Sequence, residues 1–168
     1  MTVDEPGFEI RAARPEEFAT VGALTIEVYV GEGHVSAESP YVGELFDTAR
    51  RAEAAEVLVA VREGEVLGSL TVAHPGTEYA DIARPDELEF RMLAVAKRSR
   101  GSGVGTALVH AVVDEARRAE LPAVVLTTMP TMGDARRIYE RLGFTHVPER
   151  DWATEKGLPL TVMRLSVS

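Results

Sequence analysis

Apolar residues recur along this chain with two different periods, and the changes of period mark its elements. Residues 8–13 alternate apolar and polar side chains and predict a first strand. Arg14-Pro15-Glu16-Glu17 then opens a helix, since proline suits a first turn and acids complement the helix dipole. Phe18, Val21, Leu24, Thr25 and Val28 form its apolar stripe, and Gly31-Glu32-Gly33 ends it. Residues 36–40 read as a loop and 41–55 as a second helix, with Leu45 and Ala49 inward. Residues 56–61 and 66–73 predict two strands joined by the tight turn Glu63-Gly64-Glu65, a β-hairpin. Residues 74–86 are polar and acidic and read as a loop. Further on, 122–127 predict a buried strand. Residues 134–142 form a short helix with Ala135, Ile138 and Leu142 inward, closed by Gly143. Residues 144–148 and 160–166 are two last strands around a loop at 149–157.

The centre of this pattern is residues 87–108. Phe90, Met92 and Leu93 lie in a run, 88–95, with the length and composition of a buried strand. Gly101, Gly103 and Gly105 follow on alternate positions. Val104, Ala107, Leu108, Ala111 and Val112 then recur at helical spacing, the core face of a helix. Strand, glycine turn and helix start come in that order. The first N–H groups of a helix lack intrahelical partners and sit at the positive end of its dipole. Glycines let backbone approach a ligand closely, so such a turn can cradle phosphate oxygens.

Charge sharpens this expectation. Residues 91–106 hold Arg91, Lys97, Arg98 and Arg100 and no acid, whereas the whole chain carries −9. The rest is therefore at −13, and the glycine turn is a basic island in an acidic protein. That balance argues against nucleic acid, which needs a basic face, and is compatible with a cationic or amine partner. The chain's 168 residues are one domain's worth, 45% of them apolar. No run of 18 apolar residues is present, so no membrane span is expected. The acidic N-terminal stretch lacks the apolar region of a signal peptide, and a cytoplasmic location is expected. No cysteine occurs, which excludes disulfides and a thiolate nucleophile. The four histidines lack metal-ligand spacing, and no metal is expected.

Two phosphate loops fail on their spacing. Residues 101–106 supply no lysine after a glycine, as a P-loop needs. Thr106 stands where the third glycine of a dinucleotide fingerprint belongs. Arg100, Gly103 and Gly105 do fill [RQ]-x-x-G-x-[GA]. Ala135, Tyr139, Leu142, Gly143 and Phe144 fill A-x-x-x-Y-x-x-L-G-F, with Met132 where an asparagine often precedes it. By these two motifs, in this order, the chain resembles the GNAT superfamily of N-acetyltransferases over roughly residues 87–145.

The resemblance implies an α/β fold: a mixed central sheet of about seven strands flanked by about four helices, with the central strand splaying from the next to leave a cofactor cleft. It implies acetyl-CoA as co-substrate. Leu93, Ala94 and Val95 would offer backbone groups to pantetheine and the acetyl carbonyl. Arg100, Gly101, Ser102, Gly103, Val104, Gly105 and Thr106 would take the pyrophosphate. Direct attack of a primary amine (a small molecule, a peptide N-terminus or a lysine) on the thioester would follow. Tyr139 would protonate the departing thiolate, and Glu89 would take the proton of the amine. Strand alternation places Glu89, Arg91, Leu93 and Val95 on one side, so Glu89 is expected to look into the cleft. Its alternative role is an ion pair with Arg91. Tyr29, His34 and Tyr41 are the candidates for acceptor binding, and the 74–86 loop is placed to rim the acceptor mouth. Dimers are common in the family, so a homodimer is compatible. A catalytically silent acyl-CoA-binding module is the other function class the motifs allow.

Overall fold

In the computed structural model, which describes residues 7–167, the predicted strands assemble into one mixed sheet. Strand β1 is Glu9–Ala12, followed by a 3-10 turn at Pro15–Glu17 and helix α1, Phe18–Tyr29. Helices α2 (Tyr41–Phe46) and α3 (Thr48–Ala54) lead to the hairpin β2 (Glu56–Arg62) and β3 (Glu65–Ala73). The central strand β4 is Glu87–Val95 and helix α4 is Val104–Arg118. Next come β5 (Ala123–Thr128), α5 (Gly133–Arg141), β6 (Thr145–His146), β7 (Trp152–Ala153) and β8 (Pro159–Ser166). The sheet order is β1-β2-β3-β4-β5-β8-β6, with β7 on β8. Among the described residues only the β4–β5 neighbours run parallel.

Each face of the sheet buries its own core. Against α4 and α5 lie Leu58, Leu67, Leu70, Leu88, Phe90 and Leu93, with Val104, Leu108 and Val112 from α4. Against α1 to α3 lie Val57, Val59, Val61, Met92 and Ala94, with Val21, Leu24 and Val28 from α1. The α4 stripe is thus the buried one expected. Helix α4 presses closely on β3 because Gly68 has no side chain: a Cβ there would stand 2.7 Å from Val104 Cγ1 and 3.1 Å from the Ala94 carbonyl oxygen.

Two expectations are corrected. Residues 41–55 form two helices, not one. The Asp47 carboxylate accepts the Arg50 N–H at 3.1 Å and caps a new helix. Arg51, 1% exposed, donates to the carbonyls of Glu44 and Leu45 at 2.7 and 2.9 Å, so these C-terminal groups of α2 find a side chain instead of a further helical turn. The second correction concerns β4. Met92 has φ 59°, and the pairing with β3 slips there: Ser69 faces Ala94 and Thr71 faces Arg91. One extra residue is inserted into β4, a β-bulge. Leu88, Phe90, Leu93 and Val95 then pack on the α4–α5 face, and Met92, Ala94 and Ala96 on the α1–α3 face. Glu89 and Arg91 therefore do not share a face with Leu93 and Val95, because alternation does not run through a bulge.

Candidate active site

The parallel pairing of β4 and β5 covers Glu87 with Ala123, Leu88 with Val124 and Glu89 with Val125. Both strands continue past that point without pairing, so they part. The gap opens into a cavity of about 760 Å³. Its strand walls are Phe90 to Leu93 with Val95 on one side and Leu126 and Thr127 on the other. Helix α5 contributes Ala135, Ile138 and Tyr139, and the end of α1 contributes Val28 and Tyr29.

The glycine turn closes one end of this cavity. A short 3-10 turn at Lys97–Ser99 precedes it, and Gly101 and Gly103 take φ of 84° and 86°, a region glycine enters without strain. A Cβ at either would meet nothing within 4 Å, so open space lies over them. Gly103 is the N-cap of α4 and no side chain caps the helix. Gly105 serves packing: a Cβ would stand 2.9 Å from Ile138 Cδ1. Arg100 reaches back to the Val95 carbonyl at 3.3 Å and pairs with Glu32 at 2.5 Å. Of the expected cofactor residues, Leu93, Val95, Arg100, Gly101, Gly103, Val104, Gly105 and Thr106 line the cavity, and Ala94 and Ser102 do not. The Ser102 hydroxyl donates to the Ser99 carbonyl.

Tyr139 lies deep in the wall, 5% exposed, its ring edge-on to Phe90 at 5.7 Å. Burial raises its pKa, so its hydroxyl stays protonated through the physiological range. Tyr29 and His34 also line the cavity, with rings 6.4 Å apart. His34 Nδ1 lies 2.7 Å from Thr131 Oγ1, a contact from the loop after α1 to the loop after β5. Tyr41 does not line the cavity; its hydroxyl accepts from Arg91 Nη2 at 3.0 Å, and it is Arg91 that reaches the cavity.

Glu89 is 1% exposed and is not among the cavity-lining residues. Its Oε1 accepts the N–H groups of Ile82 and Ala83 at 2.9 and 3.1 Å, so it is held by the end of the 74–86 loop and not by an ion pair with Arg91. Burial raises its pKa; the two N–H groups oppose that shift and do not overcome it. Two residues earlier, Glu87 is equally buried but differently supplied. It accepts from Arg150 at 2.9 and 3.0 Å, from Arg164 Nε at 2.9 Å and from the Arg84 N–H at 3.0 Å. Burial works to raise its pKa, but these donors outweigh it and bring it to about 2.

Residues absent from the sequence-based set also reach the cavity. Ser99, Thr127 and Thr131 line it, and the Ser99 and Thr127 hydroxyls are buried without a hydrogen-bond partner among the described residues. Arg91 and Glu32 complete the charged lining near α1. Neither shows a motif: Glu32 reads as part of a glycine break, and the bulge hides the direction of Arg91. Among the described residues no group of three or more His, Cys, Asp or Glu could hold a metal, and no helix is long and apolar enough to cross a membrane.

Comparison with known proteins agrees with this geometry. The acetyltransferase (GNAT) family model matches residues 23–144. An N-acetylaspartate synthetase of Xenopus tropicalis is 36% identical over 89 residues, 53% of this chain and 30% of that protein. The probable N-acetyltransferase camello of the same organism is 38% identical over 86 residues, 51% of this chain and 36% of that protein. The chain thus spans about a third of the length of these relatives. In fold, a Staphylococcus aureus Mu50 acetyltransferase of the GNAT family superposes with a TM-score of 0.77 at 12% identity, covering 96% of this chain and 99% of that one. The Salmonella typhimurium protein yncA, solved with its cofactor acetyl-CoA, gives 0.68 at 20% identity, covering 96% and 95%.

Proposed function

The chain belongs to the GNAT acetyltransferase family, and on that premise we propose that it moves an acetyl group from acetyl-CoA to the nitrogen of a primary amine, directly and without a covalent enzyme intermediate. The observation that carries this is the parting of β4 from β5 beyond Glu89 and Val125, which opens a cavity onto the uncapped start of α4. The residues present suit the ligand. Open space over Gly101 and Gly103, free N–H groups at the first turn of α4 and the Arg100 guanidinium fit a pyrophosphate between Arg100 and Thr106. The edge of β4 from Leu93 to Val95, turned away from β3 and left by β5, fits the amide groups of pantetheine.

Acetyl-CoA supplies the acetyl group as a thioester, which a neutral amine can attack to give an acetamide and the free thiol. The chain's own residues manage protons and positions. Tyr139 is the proton donor to the departing sulfur; support comes from its place in the cavity wall and its raised pKa. Glu89 is the proton acceptor for the incoming ammonium, acting through water. Its pKa, raised by burial, and its position on the strand face of Arg91 support that role. Tyr29 and His34 position the acceptor, with Tyr41 acting behind Arg91.

The test is release of CoA thiol from acetyl-CoA across a panel of primary amines, with the acetylated product identified by mass spectrometry. Amine-dependent release is expected. Tight acetyl-CoA binding with no release for any amine would reduce the site to a binding module.

A further inference from the structure

We propose that Arg91 receives a carboxylate carried by the acceptor, so that the amines this site acetylates are of the amino-acid class. The proposal rests on the acyl-transfer reading above. It starts from how Arg91 is buried. Its side chain is 13% exposed and stands on β4 where the strand leaves β5, on the face turned toward α1 and α2. Its hydrogen bonds go to neutral oxygens: Nη1 to the Tyr79 carbonyl at 3.2 Å and Nη2 to the Tyr41 hydroxyl at 3.0 Å. The rings of Tyr41 and Tyr79 flank it at 6.0 and 5.8 Å. Asp81 and Glu44 form ion pairs with Nη2 at 3.4 and 3.8 Å, and at 45% and 41% exposure both are partly screened by solvent.

A guanidinium has five donors, and direct protein partners take two of them. Asp81 and Glu44 offset the cost of burying this cation and keep it charged, but neither takes the guanidinium in two-point fashion. The carboxylate that could have done so, Glu89, is turned to Ile82 and Ala83 instead. The remaining donors belong to a residue that lines the cavity. A planar, forked donor in a confined wall is the partner that a carboxylate binds in two-point fashion, and a lone amine or ammonium gains nothing from it.

The other charged residues of the cavity are otherwise engaged or remote from this face. Glu32 is paired with Arg100, Asp134 with Arg137, and Arg141 ends α5. Arg91 is therefore the cation that lines the acceptor side of the cavity, with Asp81 and Glu44 beside it but outside the lining. Arg91 and Leu93, where the acetyl carbonyl is expected, both line the cavity, one on each side of the Met92 bulge. An amino acid placed between them would set its carboxylate on the guanidinium and its nitrogen at the thioester. Tyr41 and Tyr79 fix the guanidinium plane in advance, so little side-chain freedom is lost on binding.

The experiment compares L-amino acids with their amides, and with a diamine, as acceptors for the wild-type protein and for Arg91→Gln. Acetyl-CoA affinity by calorimetry serves as the check that the variant is folded. Wild type is expected to prefer each acid over its amide at least tenfold in kcat/KM at equal free-amine concentration, mainly through KM. In Arg91→Gln that ratio should fall toward one, and Arg91→Lys should restore part of it. Wild-type turnover of amides or the diamine equal to or better than that of the acids overturns the proposal and leaves acyl transfer standing. If Arg91→Gln does not fold, the wild-type acid-to-amide ratio decides by itself. Absence of thiol release with every amine overturns the acyl-transfer reading, and the carboxylate assignment falls with it.

Discussion

Replacing Glu87 by glutamine should destabilise the protein by about 3 kcal/mol at neutral pH, and by much less in acid. The magnitude follows from the carboxylate's partners. Arg150, Arg164 and the Arg84 N–H bring its pKa from 4.5 to about 2 although the residue is 1% exposed. At about 1.4 kcal/mol per pKa unit the shift corresponds to about 3 kcal/mol. The cost of breaking a buried ion pair, about 3–5 kcal/mol, gives the same scale. The folded pKa is depressed, so this stability is present above pH 4.5 and lost as pH falls through 2. At pH 3 less than half of it should remain. The assay is urea unfolding of wild type and Glu87→Gln at pH 7 and pH 3, followed by circular dichroism. Taking the difference between the two proteins cancels other acid-sensitive groups, such as Glu17, held at about 2 by Arg11. A difference below 1 kcal/mol at pH 7, or one unchanged at pH 3, would refute the linkage. Arg150 also holds the Ile82 carbonyl at 2.7 Å. The variant should therefore loosen the loop that holds Glu89, with faster amide exchange at Ile82 and Ala83.

Gly103→Asp should weaken acetyl-CoA binding tenfold or more by calorimetry, since it forces a side chain to φ 86° and sets a negative charge at the α4 start. Tyr139→Phe should lower turnover by about 10²- to 10⁴-fold with CoA affinity nearly intact; unchanged turnover would make Tyr139 a packing residue. Glu32→Gln should tighten CoA binding about two- to fivefold by freeing Arg100 from a partly exposed ion pair. Acetyl-pantetheine, which lacks the pyrophosphate, should bind the two proteins equally, and an equal gain for both ligands would contradict a competition for Arg100. Glu89→Gln should lower kcat/KM at neutral pH and recover toward alkaline pH as free amine accumulates. An unaltered pH–rate profile would assign deprotonation to bulk water.

The sheet, the helix stripes and the glycine turn were legible because each rests on a local rule. Apolar spacing declares α4, and Gly101, Gly103 and Gly143 occupy left-handed backbone positions that side chains disfavour. The break at Asp47 was not legible. It depends on a long-range partner, the Arg51 side chain reaching the end of α2, while the local spacing of Leu45 and Ala49 still suits one helix. Of the three residues expected to bind the acceptor, Tyr29 and His34 line the cavity, whereas Tyr41 meets it only through its hydrogen bond from Arg91, and nothing in the sequence gives that order of contact. Glu89 and Arg91 were misplaced because alternation is an unbroken-strand rule. A single buried methionine in a left-handed conformation resets it, and methionine carries no sequence signal for that conformation.

The bulge at Met92 makes β4 a strand with two halves in opposite phase. Odd-numbered positions before it, Glu89 and Arg91, turn toward α1 and α2; odd-numbered positions after it, Leu93 and Val95, turn toward α4 and α5. One strand thus lines the cavity with side chains from both of its faces. The backbone at Met92 is therefore what sets the facing of the strand's end. Straightening the bulge with all its residues kept would turn Leu93 and Val95 toward α1 and put Ala94 and Ala96 against α4, whereas deleting Met92 would remove the bulge and leave Leu93 and Val95 on the face they now have. The phase in which the glycine turn is reached thus depends on one extra residue being held out of the ladder.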